Sequence, residues 1–350
     1  MNFSAGEMVD NCSDSTGAGN CTWAEPTGLV PSYPDITGWL QFSITTQFLL
    51  IFVIFFTNAT VLVLVAYFKT LQNLENSFIV SMAVADGLLS VALIPGVDIT
   101  LNPTRASNKY ACLLLWCSIM FSSTASAFSL LALSLDRYLK IVYPLHHYMT
   151  SAWACGILAF VWSYTFITTF LLPFVGVNGI KDQSFVCFDF KDVFNIAHLQ
   201  FQCYVNGLAP FLVMFVMYGK ILAVVWEKLR AESDQIPAGA EGEEAGRGKK
   251  WLRRELKVIK KLTMVLGTTA AAWIPTTCML LRQIYDPTYY PTFQTRVILS
   301  TLTYMNSAVN PLLYSLRLRP FREALSKICC RRCQGPTAVH PSGGSSTDPA

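Results

Sequence analysis

Long apolar stretches separated by short polar ones set the pattern of this chain. Seven apolar segments are long enough to cross a bilayer: 41–68, 76–99, 111–135, 152–175, 199–226, 257–281 and 295–316. A helix needs about 20 apolar residues to span a hydrocarbon core about 30 Å thick. Within these segments the one acid near mid-depth is Asp86, and no basic residue lies there. The pattern therefore predicts an all-α membrane protein whose seven helices form a transmembrane bundle.

The predicted bundle covers residues 41–316, and three further regions flank it. Residues 1–40 form the N-terminal segment, residues 317–333 an amphipathic eighth helix on the membrane surface, and residues 334–350 a disordered tail. The composition agrees with a membrane protein, because 53% of the residues are hydrophobic and only 14% are charged. Soluble domains contain about 25% charged residues.

Basic residues are distributed unequally between the two ends of the predicted helices. One side carries Lys69, Arg137, Lys140 and the basic clusters within residues 220–261 and 317–332. The first 40 residues contain neither Lys nor Arg. Because short cytoplasmic loops are enriched in these residues, we expect a multi-pass plasma-membrane protein with an extracellular N-terminus and a cytoplasmic C-terminus.

The N-terminal segment contains three acceptor sequences for N-glycosylation, at Asn2, Asn11 and Asn20. A fourth match, at Asn58, falls inside the first apolar segment, where a glycosylating enzyme has no access. The clustering of three acceptors in the segment predicted outside agrees with the proposed orientation.

The cysteines divide according to the predicted side of the membrane. Cys112 begins the third segment at its outer end, and Cys187 lies in the second outer loop. A disulfide between these two residues would hold the loop over the bundle. Cys329 and Cys330 follow the last segment among basic residues, which is typical of palmitoylation sites. Reduced cytosolic thiols are the alternative for this second pair.

Asp86 is costly to bury as a charged group in the membrane, so it marks a functional hypothesis. Its candidate partners carry oxygen or amide groups and lie on three other predicted helices: Asn58, Ser126, Asn306, Ser307 and Asn310. Hard oxygen ligands suit a small cation, so Asp86 would bind a metal, an allosteric sodium ion. A neutral Asp86 within a hydrogen-bonded packing network is the alternative, and the sequence leaves both open.

Several short motifs follow one another along the predicted helices. They are Asn58, Asp86, Asp136-Arg137-Tyr138, Trp162, Pro210 with Tyr218, Trp273-Ile274-Pro275, and NSAVNPLLY at residues 306–314. In this order, and on these helices, they resemble the motifs of class A, rhodopsin-like G-protein-coupled receptors over residues 40–330. The resemblance implies a receptor, rather than an enzyme, that transmits the binding of an extracellular ligand to a heterotrimeric G protein.

The resemblance also implies roles for residues at the cytoplasmic end. Arg137 is expected to meet the G protein, and to be held at rest by Asp136 and by Glu255 on the sixth helix. An outward swing of that helix then frees Arg137. The coupling and activation residues are Asp136, Arg137, Tyr138, Tyr218, Glu255, Asn310, Pro311 and Tyr314. Membrane lipids, arrestin and receptor kinases are further expected partners, and nucleic acid is not.

Two positions on the sixth helix depart from the family pattern. Ala272 stands in place of the usual Cys before Trp273, and Thr269 in place of the usual Phe. These departures predict a modified sixth-helix movement or an unusual level of activity without ligand.

In this family the ligand cavity lies in the outer half of the bundle. Ile119 stands where monoamine receptors carry an Asp, and Tyr304 stands where opsins carry the retinal Lys, which disfavours both ligand classes. The candidate pocket residues are Ile119, Ser122, Ser123, Phe188, Gln202, Trp273, Thr276, Thr277, Leu280 and Tyr304. This set is neutral and rich in hydroxyl and amide groups, which favours a small, uncharged, polar extracellular ligand.

Among subfamilies, the segment SMAVADGLLSVALIP and the loop sequence from Cys187 to Phe190 resemble adenosine receptors. Leu280, Thr277 and Tyr304 depart from them, because adenosine receptors carry an Asn and two His residues at these positions. An adenosine-like ligand, another small molecule, a peptide and a lipid therefore all remain open. A polytopic transporter is the distant alternative, and the lack of any internal sequence repeat disfavours it.

Overall fold

The structure is a computed structural model that describes residues 34–102, 108–144, 149–176, 178, 187, 190–234, 243–286, 288–317 and 319–333. The predicted glycosylation sites Asn2, Asn11 and Asn20 and the predicted pocket residue Phe188 lie outside these residues. Within the described ranges all regular secondary structure is helical, which confirms the predicted fold class.

Within the described residues, the main elements are seven long helices and a shorter eighth one. They are α1 (Pro34–Tyr67), α2 (Leu74–Leu101), α3 (Lys109–Val142), α4 (Ser151–Phe174), α5 (196–234), α6 (Glu243–Tyr285), α7 (Phe293–Arg317) and α8 (Arg319–Cys333). Each predicted apolar segment corresponds to one of α1 to α7, and most of these helices extend beyond the apolar run. A short helix, Phe190–Val193, precedes α5.

Hydropathy alone identifies five of the described helices, α1 to α5, as long and apolar enough to cross a membrane. The helix α7 falls below that level because it carries polar residues. Asn306, Ser307 and Asn310 on this helix are nevertheless buried inside the bundle. Its polar face is thus turned away from lipid, as a membrane-spanning helix requires.

The helices pack into a closed ring. The helix α1 packs against α2 and also against α7, while α6 lies between α5 and α7. The helix α3 contacts α2, α4 and α5, and its contact with α2 is the most extensive in the bundle. We name the two ends of the bundle after nearby features: the α8 end, and the disulfide end, where Cys112 is bonded to Cys187.

Proline shapes α4 and α5. A π-helical segment occurs in each, Ile167–Leu171 in α4 and Gln202–Leu208 in α5, and a proline follows two residues later in both. Proline lacks an N–H group and crowds the carbonyl group four residues earlier, so the preceding turn widens. In α5 the wide turn passes Gly207, where a Cβ atom would lie 3.3 Å from the carbonyl oxygen of Gln202.

A side-chain network joins α2, α3 and α4 in the interior. The indole Nε1 of Trp162 donates a hydrogen bond to Ser81 Oγ at 3.0 Å, and Ser81 Oγ is 2.9 Å from Ser129 Oγ. Both serines are buried. The network satisfies three polar groups that lipid could not satisfy.

We predict that Trp162→Phe destabilises the bundle, because it leaves Ser81 without its donor while keeping the aromatic ring. Hydrogen bonds between membrane helices contribute about 0.6–2 kcal/mol, so the Tm of the detergent-solubilised protein should fall by a few degrees. Trp226→Phe is the matched control, since Trp226 is 70% exposed on α5. Equal Tm values for the two variants would contradict the prediction.

Candidate functional site

A cluster of polar side chains lies at the centre of the bundle around Asp86, which is 1% exposed. Ser307 Oγ donates a hydrogen bond to Asp86 Oδ1 at 2.7 Å, and Asn310 Nδ2 donates to Asp86 Oδ2 at 3.0 Å. Residues three apart lie on one face of a helix, so α7 presents both donors to α2. Ser126 on α3 also interacts with the Asp86 carboxyl group.

Asn58 on α1 compensates for a hydrogen bond that is missing from the α7 backbone. Pro311 has no N–H group, so the carbonyl of Ser307, four residues earlier, loses its usual helical donor. Asn58 Nδ2 donates to that carbonyl at 3.1 Å and to the carbonyl of Ile54 at 2.9 Å. The amide of Asn58 therefore replaces the missing backbone hydrogen bond and ties α1 to α7.

A small cavity adjoins the Asp86 cluster. It has a volume of about 10 Å³ and is lined by residues that include Ser126, Asn306, Ser307, Asn310 and Trp273. This is about the space for one water molecule. The buried Oδ1 atoms of Asn306 and Asn310 have no hydrogen-bond partner within the described residues. Unpaired oxygens beside a carboxyl group are the chemistry that a small hard cation prefers.

Of the sodium candidates, Ser126 and Asn310 contact Asp86, and Asn306 lines the adjoining cavity with both of them. No group of three or more His, Cys, Asp or Glu residues that could bind a transition metal occurs in the described part of the chain. The oxygen atoms of the Asp86 cluster come instead from one carboxyl group, hydroxyl groups and amides.

The α8 end of α3 carries an ion-pair network that sequence reasoning did not anticipate. Arg137 Nη2 donates to Glu75 Oε2, and Lys140 Nζ donates to Glu75 Oε1 at 2.7 Å. Lys140 Nζ also donates to Asp136 Oδ2 at 2.9 Å. We call these four residues, Glu75, Asp136, Arg137 and Lys140, the Glu75 network.

This network corrects the predicted partner of Arg137. Among the described side chains, Arg137 forms its ion pair with Glu75 on α2, and Asp136 pairs with Lys140. Adjacent residues on a helix point in different directions, whereas residues three or four apart share a face. The other predicted partner, Glu255, lies on α6, but its side chain is outside the described part of the structure.

The remaining activation residues occupy the same end of the bundle. Tyr218 is buried, and Ser134 Oγ donates to its hydroxyl oxygen at 3.5 Å. The rings of Tyr138 and Tyr143 are 6.1 Å apart. Tyr314 on α7, like the palmitoylation candidates Cys329 and Cys330 on α8, has a side chain outside the described part.

At the disulfide end, the predicted bond between Cys112 and Cys187 is present, with their Cα atoms 5.6 Å apart. The indole Nε1 of Trp116 donates to the Cys187 carbonyl oxygen at 2.6 Å, and the ring of Phe190 lies 4.3 Å from that of Trp116. These contacts fix Cys187 and Phe190 against α3 at the mouth of the bundle.

The connection between α6 and α7 is also ordered by side-chain contacts. The Asp286 carboxyl group accepts hydrogen bonds from the Thr288 hydroxyl at 2.5 Å and from the Thr288 amide at 3.0 Å. The hydroxyl contact is the main cause that lowers the pKa of Asp286 from its usual range. Arg282 stacks over the ring of Tyr289 at 4.0 Å.

The predicted pocket residues with described side chains fall into separate groups. Thr276 and Thr303 hydroxyls are 2.8 Å apart, and Ser123, Trp273 and Thr303 line the small cavity. Nearer the disulfide end, apolar contacts group Ile119, Leu280 and Tyr304. The Thr277 hydroxyl donates to the Trp273 carbonyl at 3.0 Å, and the buried Ser122 Oγ has no partner in the described structure.

The Gln202 side chain forms polar contacts with α4 and with its own helix. Its Nε2 donates to the Thr168 carbonyl at 3.2 Å and lies 3.3 Å from His198 Nε2. Its Oε1 accepts from Asn206 Nδ2 at 2.7 Å, and Asn206 Oδ1 accepts from the Tyr164 hydroxyl at 2.7 Å. The sequence did not indicate this network, although four-residue spacing of His198, Gln202 and Asn206 on one helix was a usable signal.

The chain is similar to one protein family and to several individual receptors. A family profile described as "7 transmembrane receptor (rhodopsin family)" matches residues 57–314. The human adenosine receptor A2b is 31% identical over 298 residues, which cover 78% of this chain and 85% of that receptor. The rat A2b receptor is 31% identical over 318 residues, with 83% and 91% coverage.

The human adenosine receptor A2a is 30% identical over 278 residues, covering 74% of this chain and 65% of that receptor. All of these relatives are receptors. The matched residues 57–314 include α2 to α6 in full, the Asp86 cluster and the Glu75 network. The chain therefore belongs to the rhodopsin family of seven-transmembrane receptors, the class A G-protein-coupled receptors.

Proposed function

We propose that this receptor binds a small, uncharged ligand of the purine-nucleoside type at its disulfide end, and that Arg137 transmits the binding to a G protein. The observation that carries the ligand class is the chemistry of the pocket. Its described candidate residues supply hydroxyl groups, as in the Thr276–Thr303 pair, and apolar surface, as from Ile119 and Leu280. A flat, polar heterocycle matches such a mixture of apolar surface and hydroxyl groups.

The similarity to adenosine receptors supports the same ligand class. The relatives are adenosine receptors, and the identity of about 31% extends over most of this chain. Leu280 argues against this ligand class, because adenosine receptors carry at that position an Asn that binds the purine base. We therefore expect adenosine to bind weakly, or a related neutral ligand to bind better.

We propose further that the disulfide end is extracellular and the α8 end cytoplasmic. Disulfides persist in oxidising surroundings outside the cytosol, and the Cys112–Cys187 bond lies at one end only. Exposed basic residues such as Lys69, Arg230 and Arg322 lie towards the other end. Arrestin, receptor kinases, membrane lipids and palmitoylation of Cys329 and Cys330 belong to this proposed cytoplasmic side.

We predict that Arg137→Ala abolishes G-protein activation while the receptor still reaches the cell surface. The substitution removes the guanidinium group and leaves the buried core unchanged. Dissociation of each G-protein class in cells, normalised to surface expression, measures the effect. Arg322→Ala, which removes an exposed arginine on α8, is the control. Signalling retained by the Arg137 variant would contradict the role of this residue.

An allosteric sodium ion at the Asp86 cluster is the second part of the proposal. The supporting observations are the carboxyl group, the nearby hydroxyl groups and the unpaired Oδ1 atoms of Asn306 and Asn310. A bound cation would favour the charged form of Asp86, which burial alone disfavours. It would also link α2, α3 and α7 at the centre of the bundle.

We predict that sodium stabilises the receptor through Asp86. Replacing potassium chloride by sodium chloride at equal ionic strength should raise the Tm of the purified receptor by a few degrees, in proportion to RT ln(1 + [L]/Kd). Asp86→Asn should remove this difference, while Asp98→Asn, on the same helix, should retain it. Equal Tm values of the wild-type receptor in the two salts would contradict the cation site.

We predict that Leu280→Asn increases the response to adenosine. The amide would supply polar contacts to the purine base that Leu280 cannot make, and good hydrogen bonds contribute about 0.5–1.5 kcal/mol each. The half-maximal adenosine concentration for G-protein dissociation should therefore fall about threefold to tenfold. Leu281→Asn is the neighbouring control. An unchanged or weaker response in the Leu280 variant would count against a purine at this position.

A further inference from the structure

We propose that Glu75 is a positioning residue that holds Arg137 in the resting receptor and thereby limits signalling without ligand. The inference rests on the proposed role of Arg137 in G-protein activation. It places the resting partner of Arg137 on α2, whereas the sequence predicted partners on α3 and α6.

Glu75 uses both carboxylate oxygens to hold two basic side chains of α3. Arg137 Nη2 donates to one oxygen, and Lys140 Nζ donates to the other at 2.7 Å. Arg137 and Lys140 are three residues apart and therefore lie on the same face of α3. A single acid thus fixes the direction of the Arg137 side chain, which is only 18% exposed.

The start of α2 holds Glu75 in place for this role. The Asn73 side chain caps the helix, because its Oδ1 accepts a hydrogen bond from the backbone N–H of Asn76 at 3.0 Å. Asn76 Nδ2 in turn donates to the Leu71 carbonyl at 2.8 Å. An acid in the first turn of a helix is also favoured by the helix dipole. The backbone that carries Glu75 is therefore held in place at the start of α2.

The position of Glu75 makes this contact independent of α6. The contact between α2 and α3 is the most extensive in the bundle, while the main contacts of α6 are with α5 and α7. A movement of α6 alone would therefore leave the Arg137–Glu75 ion pair intact. Release of Arg137 then also requires the Arg137–Glu75 ion pair itself to break, and that requirement limits activity in the absence of ligand.

The resting arrangement also leaves polar groups of the network unsatisfied. The Nε atom of Arg137 and the Oδ1 atom of Asp136 are buried and have no hydrogen-bond partner in the described structure. Buried polar atoms without partners raise the free energy of the state that contains them. The ion pairs to Glu75 offset this cost, so their removal should shift the receptor towards a state with Arg137 free.

The test replaces Glu75 by Gln, which has the same shape without the charge, in the full-length receptor. Basal dissociation of each G-protein class is followed in cells without ligand and normalised to surface expression. We expect Glu75→Gln to raise basal activity about threefold, the effect of a partly exposed ion pair, and Glu75→Asp to restore a value close to wild type. Glu227→Gln, which removes an exposed acid on α5, should leave basal activity unchanged.

The double variant with Glu75→Gln and Arg137→Ala separates the inference from the proposed function. Loss of the raised activity in the double variant supports both the restraint by Glu75 and the role of Arg137 in G-protein activation. Raised activity that persists without Arg137 contradicts the role of Arg137 and the inference together. Basal activity of Glu75→Gln no higher than that of Glu227→Gln, including silence in every G-protein class, overturns the inference and leaves the role of Arg137 to its own test.

Discussion

The organisation of this receptor depends on one constraint: a polar group inside a bundle surrounded by lipid must find its partner within the bundle. Pro311 removes a backbone donor in α7, and Asn58 on α1 supplies the replacement at the Ser307 carbonyl. The Ser307 hydroxyl then bonds to Asp86 on α2. Three helices are thereby joined through groups that have no alternative partner in lipid. The same constraint places Trp162 and two buried serines between α2, α3 and α4.

The Asp86 cluster and the Glu75 network both include residues of α2 and α3, but they differ in what they can do. The Asp86 cluster is deeply buried and adjoins a cavity with unpaired oxygen atoms, so it can respond to a small ion. The Glu75 network is partly exposed, with 32% and 41% exposure for Glu75 and Lys140, so its ion pairs are weak enough to break. Ligand binding and G-protein binding act on one equilibrium, and each can shift it only by its differential affinity for the two states.

The seven helices could be predicted from the sequence because their apolar runs are long, even where α7 is polar overall. Three partners of Asp86, Ser126, Ser307 and Asn310, were predictable as well, since few polar residues occur at that depth. Asn58 was predicted as a partner too, but it bonds to the Ser307 and Ile54 carbonyls instead. The partner of Arg137 was not predictable, because nothing in the local sequence around Glu75 reveals which α3 residues face α2. Gln202 is a predicted pocket residue, and its hydrogen bond to the Thr168 carbonyl on α4 could not be predicted, because the sequence does not show which side chains of α4 face α5.

Glu75 and Arg137 should be energetically coupled in the resting receptor. A double-mutant cycle of Glu75→Gln and Arg137→Gln, with the stability of the purified, ligand-free receptor as the readout, measures that coupling without any G protein. We expect the effects of the two substitutions on stability to be non-additive, with a coupling energy of about 0.5–1 kcal/mol that falls at high salt. Additive effects at low salt would contradict it.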